Sequence, residues 1–429
     1  MSRAISISLA IHALALLIGS AEARPVKLSE YAEHVTPDGN WRGALQAALD
    51  DPDVDDLEID GHYPMWSVAH SKDCAVVRNS GTRIHGGTIE FRAPDDYDHE
   101  TKGYSYGRGL AIRSGIHDIV IEHMRIYSSQ PRVGPLPNGG HKEQGALMHF
   151  GGPASGEIPL RAVTLRDSIV GPNYNGDVFY MKGSEATIER NTCIGPARGC
   201  FEFTSAYTGP TENIFVRDNR LVWPEDWDVD AEFVTGKNVR GIDFEPKAAL
   251  ISKVTITGNI FPEVGLELGG VSEFIVSNNQ VGYISITKAH EGVVSNNILR
   301  PVAAEGKWAL IVQRGQKRVD IAGNQVWARA VQVGVDASGD PILEGANGMK
   351  ISTWPQDIED EPLVLPTWVR VYDNDVWVDA LDAIPMRIHR ELIYNAGTVQ
   401  DKDWKIDPQW LMYRDNDLHG GLGLVLEPN

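Results

Sequence analysis

Cysteine is scarce in this chain, with three residues in 429. That is too few to staple a scaffold together, so the fold must rest on its own packed core. Basic residues are short as well: 39 Lys and Arg stand against 59 Asp and Glu, a formal net charge of −20. Nucleic acid demands a basic face, so that class of partner is set aside. The same balance works against polyanionic glycans unless a local basic groove or bound cations intervene. Beyond the N-terminus no apolar run has the length of a bilayer span.

The apolar stretch that does exist lies at the start. Arg3 gives a positive n-region, Ile5 to Ile18 is apolar apart from short polar residues, and Ala21-Glu22-Ala23 forms an A-x-A cleavage site. This predicts a signal peptide over 1–23 and a secreted or periplasmic mature protein starting at Arg24. The stretch is too short for the alternative, a membrane anchor. In an exported protein Cys193 and Cys200, which flank a Gly-Pro turn, either form a disulfide or sit as two small buried residues. Cys74 has no evident partner.

What the chain has in abundance is repetition. Short β-branched runs lead into a polar pair ending in Asn or Asp, followed by another apolar residue. Examples are Ile214-Phe-Val-Arg-Asp-Asn219, Val254-Thr-Ile-Thr-Gly-Asn259 and Phe274-Ile-Val-Ser-Asn-Asn279. The marker positions are Asp167, Asn191, Asn219, Asn259, Asn279, Asn297, Asn324 and Asn374, with Asn416 as a degraded last copy. They are spaced 24, 28, 40, 20, 18, 27, 50 and 42 residues apart by subtraction. The shorter intervals suit one turn of a solenoid, and the longer ones a turn with an insertion. Alternation sends every second side chain into a core. The marker Asn serves a tight left-handed corner, and stacked copies bond amide to amide. A β-propeller needs four-stranded units of about 40 residues, and a leucine-rich repeat needs its leucine consensus; neither is seen.

The expected architecture is therefore all-β: a single right-handed parallel β-helix with long inserted loops. Residues 24–56 form an N-terminal cap, and 57–429 the solenoid with a C-terminal cap. Asn40 to Leu49 reads as an amphipathic capping helix, with Trp41, Leu45, Ala48 and Leu49 on one side. Strands are expected at Asp56–Asp60, Ala75–Arg78, Thr82–His85 and Thr88–Phe91.

The strand–Asn repeats, together with Gly241-Ile-Asp-Phe-Glu-Pro-Lys247, resemble the pectate-lyase-like parallel β-helix superfamily over roughly Leu57 to Asn374. Asp38 to Leu49 is similar to its capping helix, without the usual acidic pair. The resemblance implies polysaccharide lyases, glycoside hydrolases, uronate epimerases or phage depolymerases, hence a carbohydrate partner. It carries no complete signature of any one of these.

Alternation also selects outward side chains. Phe179 and Met181, Phe201 and Phe203, Ile242 and Phe244, Leu266 and Leu268, and Ile284 and Ile286 read as inward. Tyr180, Lys182, Glu202, Asp243, Glu245, Lys247 and Glu267 then face out, with Lys288 just past the next strand. Carboxylates stacked at about 4.8 Å repel, so one is protonated or several share a cation such as Ca²⁺, held by Glu202, Asp243 and Glu245. The alternative is an ordinary solvated outer face.

Two chemistries fit. In a lyase, Lys247, Lys288, Arg240 or Arg198 serves as base or neutralises a uronate carboxyl, and Tyr180 serves as acid. In a hydrolase, a carboxyl pair such as Glu202 with Glu245 or Glu267 flanks the glycosidic bond. The sequence reading leans to the lyase; a non-catalytic glycan-binding or surface protein is the third class. Loop residues His141 and Glu143, His149, Tyr104, Tyr106 and Arg108 are further candidates. Trp223 and Trp227 offer sugar-stacking platforms or else local packing.

Overall fold

The structure, a computed structural model, describes residues 25–68, 72–98, 108–130, 146–151, 158–173, 176–196, 198–205, 210–224, 239–245, 250–301, 308–313, 318–335, 338–339, 341–352, 368–389 and 411–427. The leader expected over 1–23 lies outside them, as do Tyr104, Tyr106, His141, Glu143, Trp227 and Lys247.

The chain winds through short parallel strands that stack into three faces. The first face holds, in order, Asp73–Val77, Arg108–Ile112, Met148–Phe150, the start of Phe179–Glu189, Gly199–Thr204, Arg240–Glu245 and the end of Ile260–Gly269. It continues through the end of Gln280–Thr287, Trp308–Gln313, Asn347–Ser352, Met386–His389 and Leu424–Glu427. The second face includes Leu160–Arg166, Thr211–Arg217, Ile251–Thr257 and Val271–Ser277. The third includes Thr192–Ile194, Arg220–Val222 and Gln325–Ala328. Apart from an antiparallel hairpin, Ala330–Val335 with Pro341–Gly345, every described pairing is parallel. The expected strands appear with shifted ends, as Asp56–Glu58, Asp73–Val77, Arg83–His85 and Thr88–Phe91.

The N-terminal end is closed as expected, by the helix Arg42–Asp50 behind a 3₁₀ turn at Leu28–His34. Ala44, Leu45, Ala48 and Leu49 are its buried face, and Trp41 packs at 4.3 Å on the Tyr63 ring. Gln46 satisfies the open edge of the first face. Its Oε1 accepts from the Val76 N–H at 2.9 Å and its Nε2 donates to the Val76 carbonyl at 3.0 Å. An edge that is paired in this way offers no template for a second chain.

Between the second and third faces the chain turns at the Asn corner. Asn191, Asn219, Asn259, Asn279, Asn297, Asn324, Asn374 and Asn416 form one continuous ladder. Each amide Nδ2 donates to the next Asn Oδ1 at 2.8–3.0 Å, and that oxygen also accepts the preceding Asn backbone N–H. Two details differ from the sequence reading. The left-handed residue is the one before each Asn, for example Arg190 (φ 53°), Asp218 (57°), Gly258 (69°) and Asp373 (55°). The Asn itself must aim its amide along the axis, and the corner strain falls on its neighbour. The first marker is likewise displaced. Asp167 is the left-handed residue (φ 51°), and Ser168 joins the ladder through its N–H to Asn191 Oδ1 at 3.1 Å.

The core is apolar along its whole length. Beneath the middle of the first face it is aromatic: Phe150, Phe179, Phe201, Phe203 and Phe244 are fully buried, with Phe203 stacked on Phe244 at 4.9 Å. Side chains locked at crystal-like density below a face hold the outward residues above them in fixed positions.

Candidate active site

The corner after the second face has two residues in every described rung from Arg83–His85 onward. Two residues separate the faces at Arg166 to Ile169, at Arg217 to Arg220 and at Tyr372 to Asp375. The connections on either side of the first face vary instead. Lys182 runs into Gly183 within one strand, whereas long spans separate Val222 from Arg240 and Ser352 from Trp368. Variable loops on a rigid scaffold mark the surface where function is built, and here they border the first face.

On that face the register aligns His149, Tyr180, Glu202, Asp243, Glu267 and Ser285 in one outward column. The carboxylate at the Asp243 rung is therefore Asp243 itself; Glu245 stands in the adjacent column, beside Thr204 and Lys182. Two of the outward carboxylates are nonetheless shut off from solvent: Glu202 is 2% and Asp243 5% exposed. A third carboxyl, Asp177, just ahead of the strand Phe179–Glu189, is buried with them.

Two arginines supply the counter-charge. Arg198 places Nη2 3.2 Å from Glu202 Oε2 and Nη1 3.5 Å from Asp177. The Glu202 contact falls outside hydrogen-bond geometry and acts as an ion contact. Arg240 contacts Asp243 through Nη1 and lies 2.9 Å from Glu267 through Nε. Tyr283 donates its hydroxyl to Glu267 Oε1 at 2.6 Å. These pairs offset part of the charge for which a shared Ca²⁺ was expected. Among the described residues no group of three or more His, Cys, Asp or Glu side chains is placed to hold a metal ion. With guanidinium groups already between the carboxylates, the donor set does not fit a divalent cation, and no step is derived through one.

The protonation states follow from burial and crowding. Burial, with the neighbouring Glu202 charge and a hydrogen bond to it, pushes the Asp177 carboxyl well above the usual range, Arg198 opposing. Burial also pushes Asp243 up to about 6, the Glu267 and Glu202 charges adding to it and Arg240 opposing. Next to these acids sits a cationic flank. His149 stacks flat on Tyr180 at 5.1 Å and 4°. Burial first, and then Arg108, pushes its imidazole down to about 4, with Lys182 and Arg113 adding and Asp73 opposing. Tyr180 in turn meets Thr204 Oγ1 at 3.1 Å.

A disulfide joins Cys193 on the third face to Cys200 on the first. It pins the short connection that carries Arg198, so the covalent link and the acid pair share one turn. Cys74 is buried, which pushes its thiol up and leaves it inert.

Several expected residues stand apart. Trp223 is partly buried and packs against the core, the local packing that was the alternative to a sugar platform. Lys288 occupies a left-handed corner (φ 56°) after its strand, outside the acidic column. Asp177 and Tyr283 were not singled out in the sequence. The Asp177 signal was legible only as turn chemistry, Asn173-Tyr-Asn-Gly-Asp177.

No family model matches the chain, and neither does any curated protein. Solved structures do match in fold. PfbA, a surface adhesin of Streptococcus pneumoniae, aligns with a TM-score of 0.53 at 11% identity, covering 94% of this chain and 93% of that one. A DFA-IIIase variant from Arthrobacter chlorophenolicus A6 aligns with a TM-score of 0.51 at 12% identity, covering 91% and 98%. The enzymatically active domain of tailspike protein 2 from bacteriophage CBA120 aligns at 0.49 and 10% identity, covering 89% of this chain. The chain spans 54% of that tailspike domain. At such identities the likeness establishes the fold, and the molecule is a right-handed parallel β-helix.

Proposed function

We propose that this protein is a secreted enzyme that cleaves a polysaccharide at the Asp177–Glu202–Asp243 column, by glycoside hydrolysis. One observation carries the reading: the buried Asp177 carboxyl, held well above its ordinary range beside Glu202, lies near Asp243, a carboxyl pushed up to about 6, on the face bordered by variable loops. Carboxyls whose environments drive their protonation apart are the groups that divide acid and base roles. Asp243 is the proton donor to the leaving oxygen, since an acid near working pH both holds and releases its proton. Glu202 faces the anomeric carbon as base or nucleophile. Adjacent rungs are about 4.8 Å apart, nearer the retaining than the inverting carboxyl separation of roughly 6.5–9.5 Å. Arg198 and Arg240 fix the two carboxylates in orientation. Export is supported by the leader pattern and the Cys193–Cys200 disulfide. Of the structural neighbours, DFA-IIIase is an enzyme and PfbA a surface adhesin.

A second reading, β-elimination from a uronate, is favoured by the two arginines and Tyr180 in the same column. Of the residues expected as its base or neutraliser, Lys247, Lys288, Arg240 and Arg198, the first lies outside the described residues. The experiment is digestion of a broad polysaccharide panel with the purified protein. New reducing ends without the ultraviolet absorbance of unsaturated sugars support hydrolysis, and that absorbance selects elimination. Glycan binding with no product at all would make the protein a surface binder and refute the enzymatic reading.

A further inference from the structure

Arg240 reaches both Asp243 and Glu267, and the backbone around it is shaped to let it do so. The strand Arg240–Glu245 carries a bulge: Arg240 pairs with Gly265 and Ile242 with Leu266, which leaves Gly241 as an extra residue. A bulge re-aims the side chain beside it. In register, Arg240 stands between Gly199 on the preceding rung and Gly265 on the following one. Neither glycine has a left-handed backbone, so the reason for them is space. A Cβ on Gly199 would crowd Asp177 Oδ1 at 3.0 Å, and one on Gly265 would run into the Tyr283 ring. Both rungs beside Arg240 are thus cleared, one for the Asp177 carboxyl and the other for an aromatic ring.

That ring is placed to act on Arg240 through one intermediary. Tyr283 is aligned with Gly265 and lies over it. Its hydroxyl donates to Glu267 Oε1 at 2.6 Å. Glu267 Oε2 lies 2.9 Å from the buried Nε of Arg240, as an ion contact. The Nη1 end of the same guanidinium meets Asp243. An arginine held at one end keeps much of its rotamer freedom, whereas a planar fork held at both ends has a single orientation. We propose that Tyr283 and Glu267 are positioning residues for the proton donor: they clamp the Arg240 guanidinium so that its other end holds the Asp243 carboxyl in place. The inference rests on the active-site reading above, because it takes Asp243 as the donor. Tyr283 works only through Glu267 and Arg240, so its loss lowers turnover and spares substrate binding.

The test pairs turnover with a signal from Arg240 itself. In protein isotopically labelled at arginine, the Arg240 Nε–H resonance is assigned by its absence from Arg240→Lys. It should shift and broaden in Tyr283→Phe and in Glu267→Gln. On whichever polysaccharide the panel identifies as substrate, Tyr283→Phe should lower kcat about tenfold and leave KM within about twofold, as the loss of one charge-assisted hydrogen bond implies. Glu267→Gln should lower kcat further, and Gly265→Ala, which crowds the ring, should act like Tyr283→Phe. In the Arg240→Lys background, where no fork spans the two carboxylates, Tyr283→Phe should cost nothing more. Tyr283→Phe keeps the ring over Gly265, and an unchanged circular-dichroism spectrum certifies its fold. A tenfold loss that persists in the Arg240→Lys background, an effect confined to KM, or an Arg240 resonance indifferent to both substitutions overturns the clamp. The two readings fail separately. An indifferent resonance, with cleavage that Asp243→Asn abolishes, removes only the clamp. A responsive resonance, with cleavage that survives Asp243→Asn and Glu202→Gln, overturns the active-site reading while the clamp on Arg240 stands.

Discussion

Replacing Asn259 by Ala in the middle of the ladder puts a number on what the corner contributes. Asn259 is fully buried. Its Nδ2 donates to the Val216 carbonyl at 2.9 Å and to Asn279 Oδ1 at 2.9 Å. Its Oδ1 accepts the Asn219 N–H at 3.1 Å and Asn219 Nδ2 at 3.0 Å. Asn219 Nδ2 keeps the Ile188 and Arg217 carbonyls, and Asn279 Oδ1 keeps the Asn259 N–H. The net orphans are the Asn219 backbone N–H and one lone pair on Val216. At roughly 1–3 kcal/mol for each buried group left unsatisfied, the substitution costs about 3–5 kcal/mol. Asn259→Asp should cost more, because a buried carboxylate cannot donate to either acceptor. Asn416→Ala should cost only about 1 kcal/mol, since Asn416 ends the ladder and is half exposed. Urea unfolding followed by far-ultraviolet circular dichroism measures all three, and the slope checks that the same surface unfolds. A loss below 1 kcal/mol for Asn259→Ala, or equal losses at Asn259 and Asn416, would refute the reasoning.

Asp243 has a folded-state pKa raised to about 6, so its contribution to stability is present at acid pH and lost as pH rises through that value. The parent should accordingly lose about 1.4 kcal/mol relative to Asp243→Asn between pH 5 and pH 8, part of the roughly 3 kcal/mol spread over the whole titration, and its activity should fall above pH 6, whereas Asp243→Asn abolishes cleavage; parallel melting curves at the two pH values check the first and a pH–rate profile of the parent the second. Glu122, buried between Arg83 and Arg166, has the opposite sign: burial raises its pKa, the two guanidinium groups outweigh that, and the carboxyl is held below its ordinary value. Its stabilisation holds above the ordinary carboxylate range and fades as pH falls through the lowered value. Glu122→Gln should cost about 1–2 kcal/mol at neutral pH, and a stability difference that persisted in strong acid would contradict the pairing. Opening the Cys193–Cys200 link with Cys200→Ala should release Arg198 and reduce activity at least tenfold, a loss expected without unfolding and read from kcat alongside circular dichroism. Treatment with a chelator should leave activity unchanged, because arginines occupy the place of a cation; a loss restored by Ca²⁺ would show that assignment to be wrong.

The solenoid was legible because two of its devices are written locally: period-two alternation and a recurring Asn. The corner conformation was misplaced by one position. Asn tolerates the left-handed region on its own, but in a ladder its amide is needed for stacking, so Arg190, Asp218 or Gly258 takes the strain instead. At the ladder's end a serine suffices: the Ser168 N–H donates to Asn191 Oδ1, and its hydroxyl accepts the Met124 N–H at 3.2 Å. The column Tyr180, Glu202, Asp243, Glu267 could be read from alternation alone, since it lies on aligned rungs. Repulsion among those carboxylates was anticipated, and of the two reliefs expected, a held proton or a shared cation, the raised pKa of Asp243 agrees with the first; the arginines beside them were not foreseen in that role. Arg198 precedes Glu202 by four residues and Arg240 precedes Asp243 by three, a spacing visible in the sequence and passed over in favour of a cation. Asp177 was beyond reach: it approaches Glu202 through space from a turn whose composition looked like loop chemistry.

The fixed two-residue corner has an engineering corollary. Because the Asn column admits no insertion, it acts as a ratchet that resets the phase of the chain once per circuit, whatever length was spent on the other two corners. Segments bordering the first face can therefore be exchanged, lengthened or removed without disturbing the pitch of the rungs beneath them. The substrate-facing rim is modular in a way that the column is not, and loop transplants between such solenoids should be grafted there, leaving every Asn corner intact.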